Sequence, residues 1–99
     1  MNGYHRLAEC TGFEWDEGNA VKNWLKHDVS QSECEQVFFN MPFLVKPDEK
    51  HSLAETRFYA LGKTDAGRLL FIAFTIRGEK VRVISARDMT MRERRRYQP

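Results

Sequence analysis

Cysteine is scarce in this 99-residue chain, with Cys10 and Cys34 as the whole thiol inventory. A secreted domain of this size usually carries more, stapled in pairs. Two thiols this far apart also make no zinc site, which needs four clustered ligands. We read both as reduced, Cys34 on an apolar helix face and Cys10 in a loose tail. Long apolar runs are missing too. The longest, Leu69 to Ile76, is interrupted by Thr75 and falls far short of the ~20 residues a membrane-spanning helix needs. Residues 1–12 have no apolar core of signal-peptide length, so a cytoplasmic location is expected. Glycine-rich phosphate loops, G-x-S-x-G, H-E-x-x-H and C-x-x-C are all absent. Those absences argue against nucleotide hydrolysis, serine hydrolase and metalloprotease chemistry.

The chain does have the material for one compact core, at 41% hydrophobic and 12% aromatic residues. That is too apolar for a disordered chain. No repeat or linker divides it. We expect one domain over residues 13–99 with a short N-terminal extension, residues 1–12. The net charge is only +2, yet residues 77–99 hold eight of the sixteen Lys and Arg and three of the fourteen acids. A basic end on a near-neutral body points to an anionic partner such as nucleic acid, or else to a solvated surface.

Phe13-Glu14-Trp15 alternates like a short strand. Asp16 can cap a helix over residues 17–27, with Ala20, Val21, Trp24 and Leu25 on one face, and we place Trp24 in the core. Ser30-Gln31-Ser32-Glu33 is a capping box that opens a second helix through Phe39, with Cys34, Val37 and Phe38 facing inward. Phe43 to Val45 reads as an edge strand and residues 48–55 as loop. Three strands follow, at 56–63, 69–77 and 80–87, joined by short glycine-containing turns that favour antiparallel neighbours. Thr90-Met91-Arg92-Glu93 is a second capping box, opening a short helix to Tyr97.

In the middle strand Leu70, Ile72, Phe74 and Ile76 form one apolar face, to be buried by the helices. Phe71, Ala73, Thr75 and Arg77 form the other. Alternation puts Arg87 with Ser85, Val83 and Val81, and Arg82 with Ile84 and Ala86. The expected fold class is α+β, with helices packed on one face of a small antiparallel sheet and a short C-terminal helix. The opposite sheet face should be partly open and basic at one end.

Several of these segments together resemble one family. Phe13-Glu14-Trp15-Asp16 is similar to the opening motif of the BrnT toxins, and Asn23-Trp24-Leu25-Lys26-His27 resembles their N-x-x-K-H segment. Arg57-Phe58-Tyr59-Ala60-Leu61-Gly62 resembles their R-F-x-A-L-G strand. Gly67-Arg68-Leu69-Leu70, Phe74-Thr75 and Arg77-Gly78 resemble the next hairpin. Val83-Ile84-Ser85-Ala86-Arg87 and Arg92-Glu93-Arg94-Arg95-Arg96-Tyr97 complete a resemblance over residues 13–97. It implies a RelE-like ribonuclease fold and the toxin half of a type II toxin–antitoxin system. It also implies metal-free RNA cleavage that inhibits translation. The implied partner is a BrnA-type antitoxin with a ribbon-helix-helix part that binds operator DNA, in a 2:2 complex. No cofactor and no membrane are implied. Where the family commonly has glycine after K-H, this chain has Asp28, one of the better substitutes at positive φ.

RNA carries its own nucleophile, the 2′-OH. A metal-free enzyme must align that hydroxyl with the phosphate, stabilise the added negative charge and move protons. Arginine suits the charge through its paired donors. Arg57, Arg77 and Arg87, at strand ends within the resembling motifs, are the candidates for phosphate contact; ordinary strand-end charge is the other reading. Arg82 is read as an ion-pair member or edge residue. Lys26 and His27 end the first helix, where they suit acid–base work or complement the helix dipole. His51 is either a third acid–base candidate or a loop histidine. Glu55 could be a base, with nothing in the sequence to put it beside the arginines, and His5 is discounted. Tyr59 is a candidate for stacking on an unpaired base, and Phe71 for the core. Arg92, Arg95 and Arg96 are candidate RNA contacts on a helix too short to present them all on one face. A non-catalytic, antitoxin-bound nucleic-acid-binding module is the alternative function.

Overall fold

The computed structural model describes residues 6–51 and 55–98, the side chain of His51 excepted. Five strands form one sheet: β1 (Gly12–Glu14), β2 (Leu44–Pro47), β3 (Arg57–Lys63), β4 (Leu69–Arg77) and β5 (Lys80–Asp88). Among the described residues three full helices accompany it: α1 (Glu17–His27), α2 (Gln31–Val37) and α3 (Met91–Tyr97). A 3-10 turn, Glu49–His51, breaks the stretch expected to be all loop. Among the described residues, no helix is long and apolar enough to cross a membrane.

The strand order is β1-β5-β4-β3-β2. Strands β2 to β5 pair antiparallel, with short turns joining β3 to β4 and β4 to β5, but β1 runs parallel to β5. That parallel pair departs from the all-antiparallel expectation. It follows from a non-local connection, since the chain between β1 and β5 crosses the whole sheet. Gly78 makes the tight β4–β5 turn at φ 59°, where a side chain would be strained.

Local signals set the helix ends. Asp16 caps α1 by accepting from the Gly18 N–H at 2.8 Å. Ser30 and Thr90 form complete capping boxes with Glu33 and Glu93. Helix α1 stops at Asp28, left-handed at φ 56° and ψ 39°, whose N–H donates to the Trp24 carbonyl at 2.9 Å. This is the backbone position for which glycine is best suited. Helix α2 ends at Val37, and Phe38 and Phe39 continue as a turn instead of helix.

Helices α1 and α2 lie on the sheet face carrying Leu70, Ile72, Phe74 and Ile76, with Val37, Cys34, Phe58 and Val83 in the same core. Gly62 is where α2 and β3 meet most closely; a Cβ there would stand 2.6 Å from Val37 Cγ1. Cys34 is fully buried, and burial pushes its thiol up to about 12. The loose-tail reading of Cys10 does not hold. Leu7 and Cys10 pack against the core, and Arg6 donates to the Ile76 carbonyl at 3.3 Å.

Two face assignments are corrected. Trp24, placed in the core, is 53% exposed, and Val21 and Leu25 are 55% and 78% exposed. The buried residue of α1 is Asn23. Its Oδ1 accepts the Ala86 N–H at 3.2 Å. Only Lys80 to Arg82 of that β5 edge pair with β1, so the next part of the edge needs another acceptor. The second correction concerns β5. Ala73 pairs with Ser85 but Phe74 pairs with Val83, so Ile84 is an extra residue in a β-bulge. The bulge reverses the alternation beyond it. Arg87 therefore pairs with Phe71, and Arg82 with Thr75, both on the face away from α1 and α2.

Candidate nucleic-acid interface

The sheet face opposite α1 and α2 carries polar and aromatic side chains in register. Arg57 stands beside Thr75, Tyr59 beside Ala73 and Leu61 beside Phe71 on β3 and β4. Arg77, Thr75, Ala73 and Phe71 stand beside Lys80, Arg82, Ser85 and Arg87 on β4 and β5. Helix α3 covers one end, where Leu61, Met89 and Tyr97 form a small second core with Leu69 and Phe71 packed against it. The Tyr97 hydroxyl fastens that cover by donating to the Pro42 carbonyl at 2.6 Å.

At the covered end, aromatic rings and arginines interleave. Tyr59 and Phe71 stack with centroids 5.4 Å apart. The Arg87 guanidinium lies 4.1 Å from the Phe71 centroid, and that of Arg96 lies 5.8 Å from the Tyr59 centroid. Arg96 also donates to the Tyr59 hydroxyl at 3.0 Å. Glu93 grips Arg87 through both nitrogens, at 2.8 and 3.0 Å, while closing the α3 capping box. Burial pushes the Glu93 carboxyl up, but the Arg87 and Thr90 hydrogen bonds outweigh it and hold the carboxyl below its ordinary value.

At the other end Arg77 and Glu55 pair through two hydrogen bonds of 3.0 and 2.9 Å. The hydrogen bond from Arg77 holds Glu55 below its ordinary value. The sequence offered nothing to bring Glu55 to the arginines; the fold does so. Arg82 pairs with Asp16 at 3.1 Å and Glu14 at 3.6 Å, the structural ion pair expected of it. The carbonyl of Arg57 accepts the Asp48 N–H at 2.7 Å, so the turn containing His51 starts beside Arg57. Arg57 and Phe71 belong to opposite ends of the face, about 13 Å apart along the strands at ~3.3 Å per residue.

The fold thus gathers Arg57, Arg77, Arg87, Tyr59 and Arg96 on one surface. Arg92 and Arg95 are exposed on α3. Lys26 and His27 lie at the C-terminus of α1, in different surroundings. There Arg68, unremarked in the sequence except within a motif, uses all five of its donors. They go to Asp88 at 2.8 and 3.2 Å, to Glu33 at 3.1 Å, and to the carbonyls of Asp28 at 2.7 Å and His27 at 3.1 Å. Its only sequence signal is its place after the Gly67 turn. The side chains of His51 and His5 lie outside the described residues.

Comparison with known proteins bears on what such a face does. Residues 15–93 match the family described as the ribonuclease toxin, BrnT, of type II toxin–antitoxin systems. The chain belongs to the BrnT family. As a BrnT protein it is a ribonuclease toxin whose target is RNA and whose protein partner is an antitoxin. The crystal structure of the Brucella abortus ribonuclease toxin BrnT is similar, with a TM-score of 0.62 at 23% identity, over 82% of this chain and 99% of that one. At that identity the likeness establishes the α+β fold. A comparison with curated protein sequences finds no match. The BrnT match starts at Trp15, so the packed segment before β1 lies outside it.

Proposed function

We propose that the open sheet face is the ribonuclease site and that it cuts RNA without a metal. The RNA 2′-OH attacks the adjacent phosphorus, the bond from phosphorus to the 5′ oxygen breaks, and a 2′,3′-cyclic phosphate remains. Arg87 stabilises the extra charge on the phosphoryl oxygens, and Arg57 and Arg77, at the other end of the face, hold a further phosphate of the same RNA strand. Tyr59, with Arg96 against its ring, receives an unpaired base, and Arg92 and Arg95 hold flanking phosphates. Lys26, His27 and His51 remain the candidates for proton transfer.

One observation carries the reading: the β-bulge at Ile84 turns Arg87 onto the same face as Tyr59, Arg57 and Arg77. Ionised carboxylates already hold Arg77 and Arg87 in fixed poses, which lowers the cost of ordering them on a phosphate. The antitoxin is proposed to be of BrnA type, with a ribbon-helix-helix part on operator DNA, in a 2:2 complex within the cytoplasm. The test is induced expression without antitoxin, comparing the wild type with Arg57→Ala/Arg77→Ala. Growth arrest and RNA loss with the wild type alone support the assignment; arrest by both moves the site elsewhere.

A further inference from the structure

Helix α1 presents an apolar face that no other described residue covers. Val21, Trp24 and Leu25 stand at i, i+3 and i+4, and all three are exposed. They form one wall of a groove of about 560 Å³ whose other wall is Ser30, Gln31 and Ser32 at the start of α2. Isolated exposed apolar residues are ordinary, but a contiguous i, i+3, i+4 set beside a groove is the form that helix-in-groove recognition takes. Lys22 and Lys26 are also exposed, one residue on from Val21 and from Leu25, and so lie along one flank of the same face. The face belongs to the helix layer and is separate from the arginines of the open sheet face.

We infer that this α1 face docks an amphipathic helical segment of the antitoxin, with apolar residues against Val21, Trp24 and Leu25 and acidic residues against Lys22 and Lys26. Charge complementarity selects that occupant: a basic or neutral helix would leave the lysine flank unpaired, whereas an acidic flank meets it. Trp24 is the expected anchor, since a large ring in a desolvated pocket dominates such interfaces. The inference rests on the family's having an antitoxin partner and not on the assignment of the RNA site. Val21, Lys22, Trp24 and Leu25 lie outside the residues proposed for RNA cleavage, so substitution at these four positions leaves RNA chemistry intact.

The test uses the full chain and its purified cognate antitoxin, with binding measured by calorimetry and RNA cleavage by the free toxin measured in parallel. Trp24→Ala is expected to weaken antitoxin binding by about 30-fold or more, and Leu25→Glu by a comparable factor. Lys22→Glu is expected to weaken it by about threefold or more, with a shallower salt dependence. Free Leu25→Glu and Lys22→Glu toxins should cut RNA at the wild-type rate yet escape neutralisation. Leu25→Glu is included because its side chain is the most exposed of the three, so folding is preserved if Trp24→Ala perturbs it. Wild-type antitoxin affinity in Leu25→Glu overturns the docking site, and wild-type affinity in Lys22→Glu overturns the acidic occupant. If no form of the toxin cuts RNA but the affinities change as expected, the ribonuclease assignment fails and the docking site stands.

Discussion

Arg87 is held by Glu93 through two hydrogen bonds of 2.8 and 3.0 Å, with its guanidinium carbon 4.1 Å from the Phe71 ring centroid. Arg87 thus has a fixed position on the open face before RNA arrives. Arg87→Ala is expected to lower the RNA cleavage rate by about 100-fold or more. Glu93→Gln keeps the capping box and removes the charge, so about a tenfold loss in kcat with little change in Tm is expected. Single-turnover cleavage on a fixed RNA, with Tm read alongside, checks both.

Arg68 ties the end of α1 to α2, β4 and β5 through a single guanidinium. Arg68→Ala leaves Asp88, Glu33 and two carbonyls without that partner. It is expected to cost about 2–3 kcal/mol, allowing for partial exposure, or on the order of 10 °C in Tm. Arg68→Lys should recover little, because one ammonium cannot replace a five-donor fork. Thermal unfolding decides it, and a change of only ~2 °C would remove Arg68 from this role.

The carboxylates around these arginines make the fold acid-sensitive. The Arg68 hydrogen bond holds Asp88 below the ordinary 3.8. Burial pushes Glu33 up, but the Ser30 N–H and Arg68 bring it below the ordinary 4.5. Depressed folded values mean that the unfolded chain takes up protons first as pH falls. The stabilisation is therefore complete above the ordinary values and is lost as pH drops through the folded ones. Tm should hold from neutrality to about pH 5 and fall below it, with a smaller acid drop in Arg68→Ala. A pH series of melting curves measures this.

Asp28 occupies the left-handed position that ends α1. Asp28→Gly is expected to keep stability within about 1 kcal/mol. Asp28→Val should lower it by about 1–2 kcal/mol, since a branched side chain is poorly tolerated there. Denaturant unfolding of the two variants gives the comparison.

Local features of this fold were legible in the sequence. The Asp16 cap and both capping boxes follow from short-range patterns and appear as expected, and the boundaries of β3 to β5 do so to within one residue. Features set by distant parts of the chain were not. Periodicity finds the apolar stripe of α1 but cannot say whether the chain covers it, and Asn23 faces inward because a sheet edge needs an acceptor. Strict alternation fails at Ile84 because a bulge leaves no mark in a run of ordinary strand residues. That bulge decides which arginines share a face, so the open-face cluster could be guessed by residue but not assembled. Glu55 and Glu93 as arginine partners, and Arg68 as a five-fold donor, likewise depend on tertiary placement.

The most direct test of the open-face assignment is RNA cleavage by the purified chain in excess chelator, wild type against Arg57→Ala/Arg87→Ala, with analysis of the RNA ends. Undiminished wild-type cleavage leaving 2′,3′-cyclic phosphates, reduced by about 100-fold or more in the folded double variant, is the expected result. Cleavage by the double variant at the wild-type rate, or wild-type cleavage abolished by chelator, would contradict it.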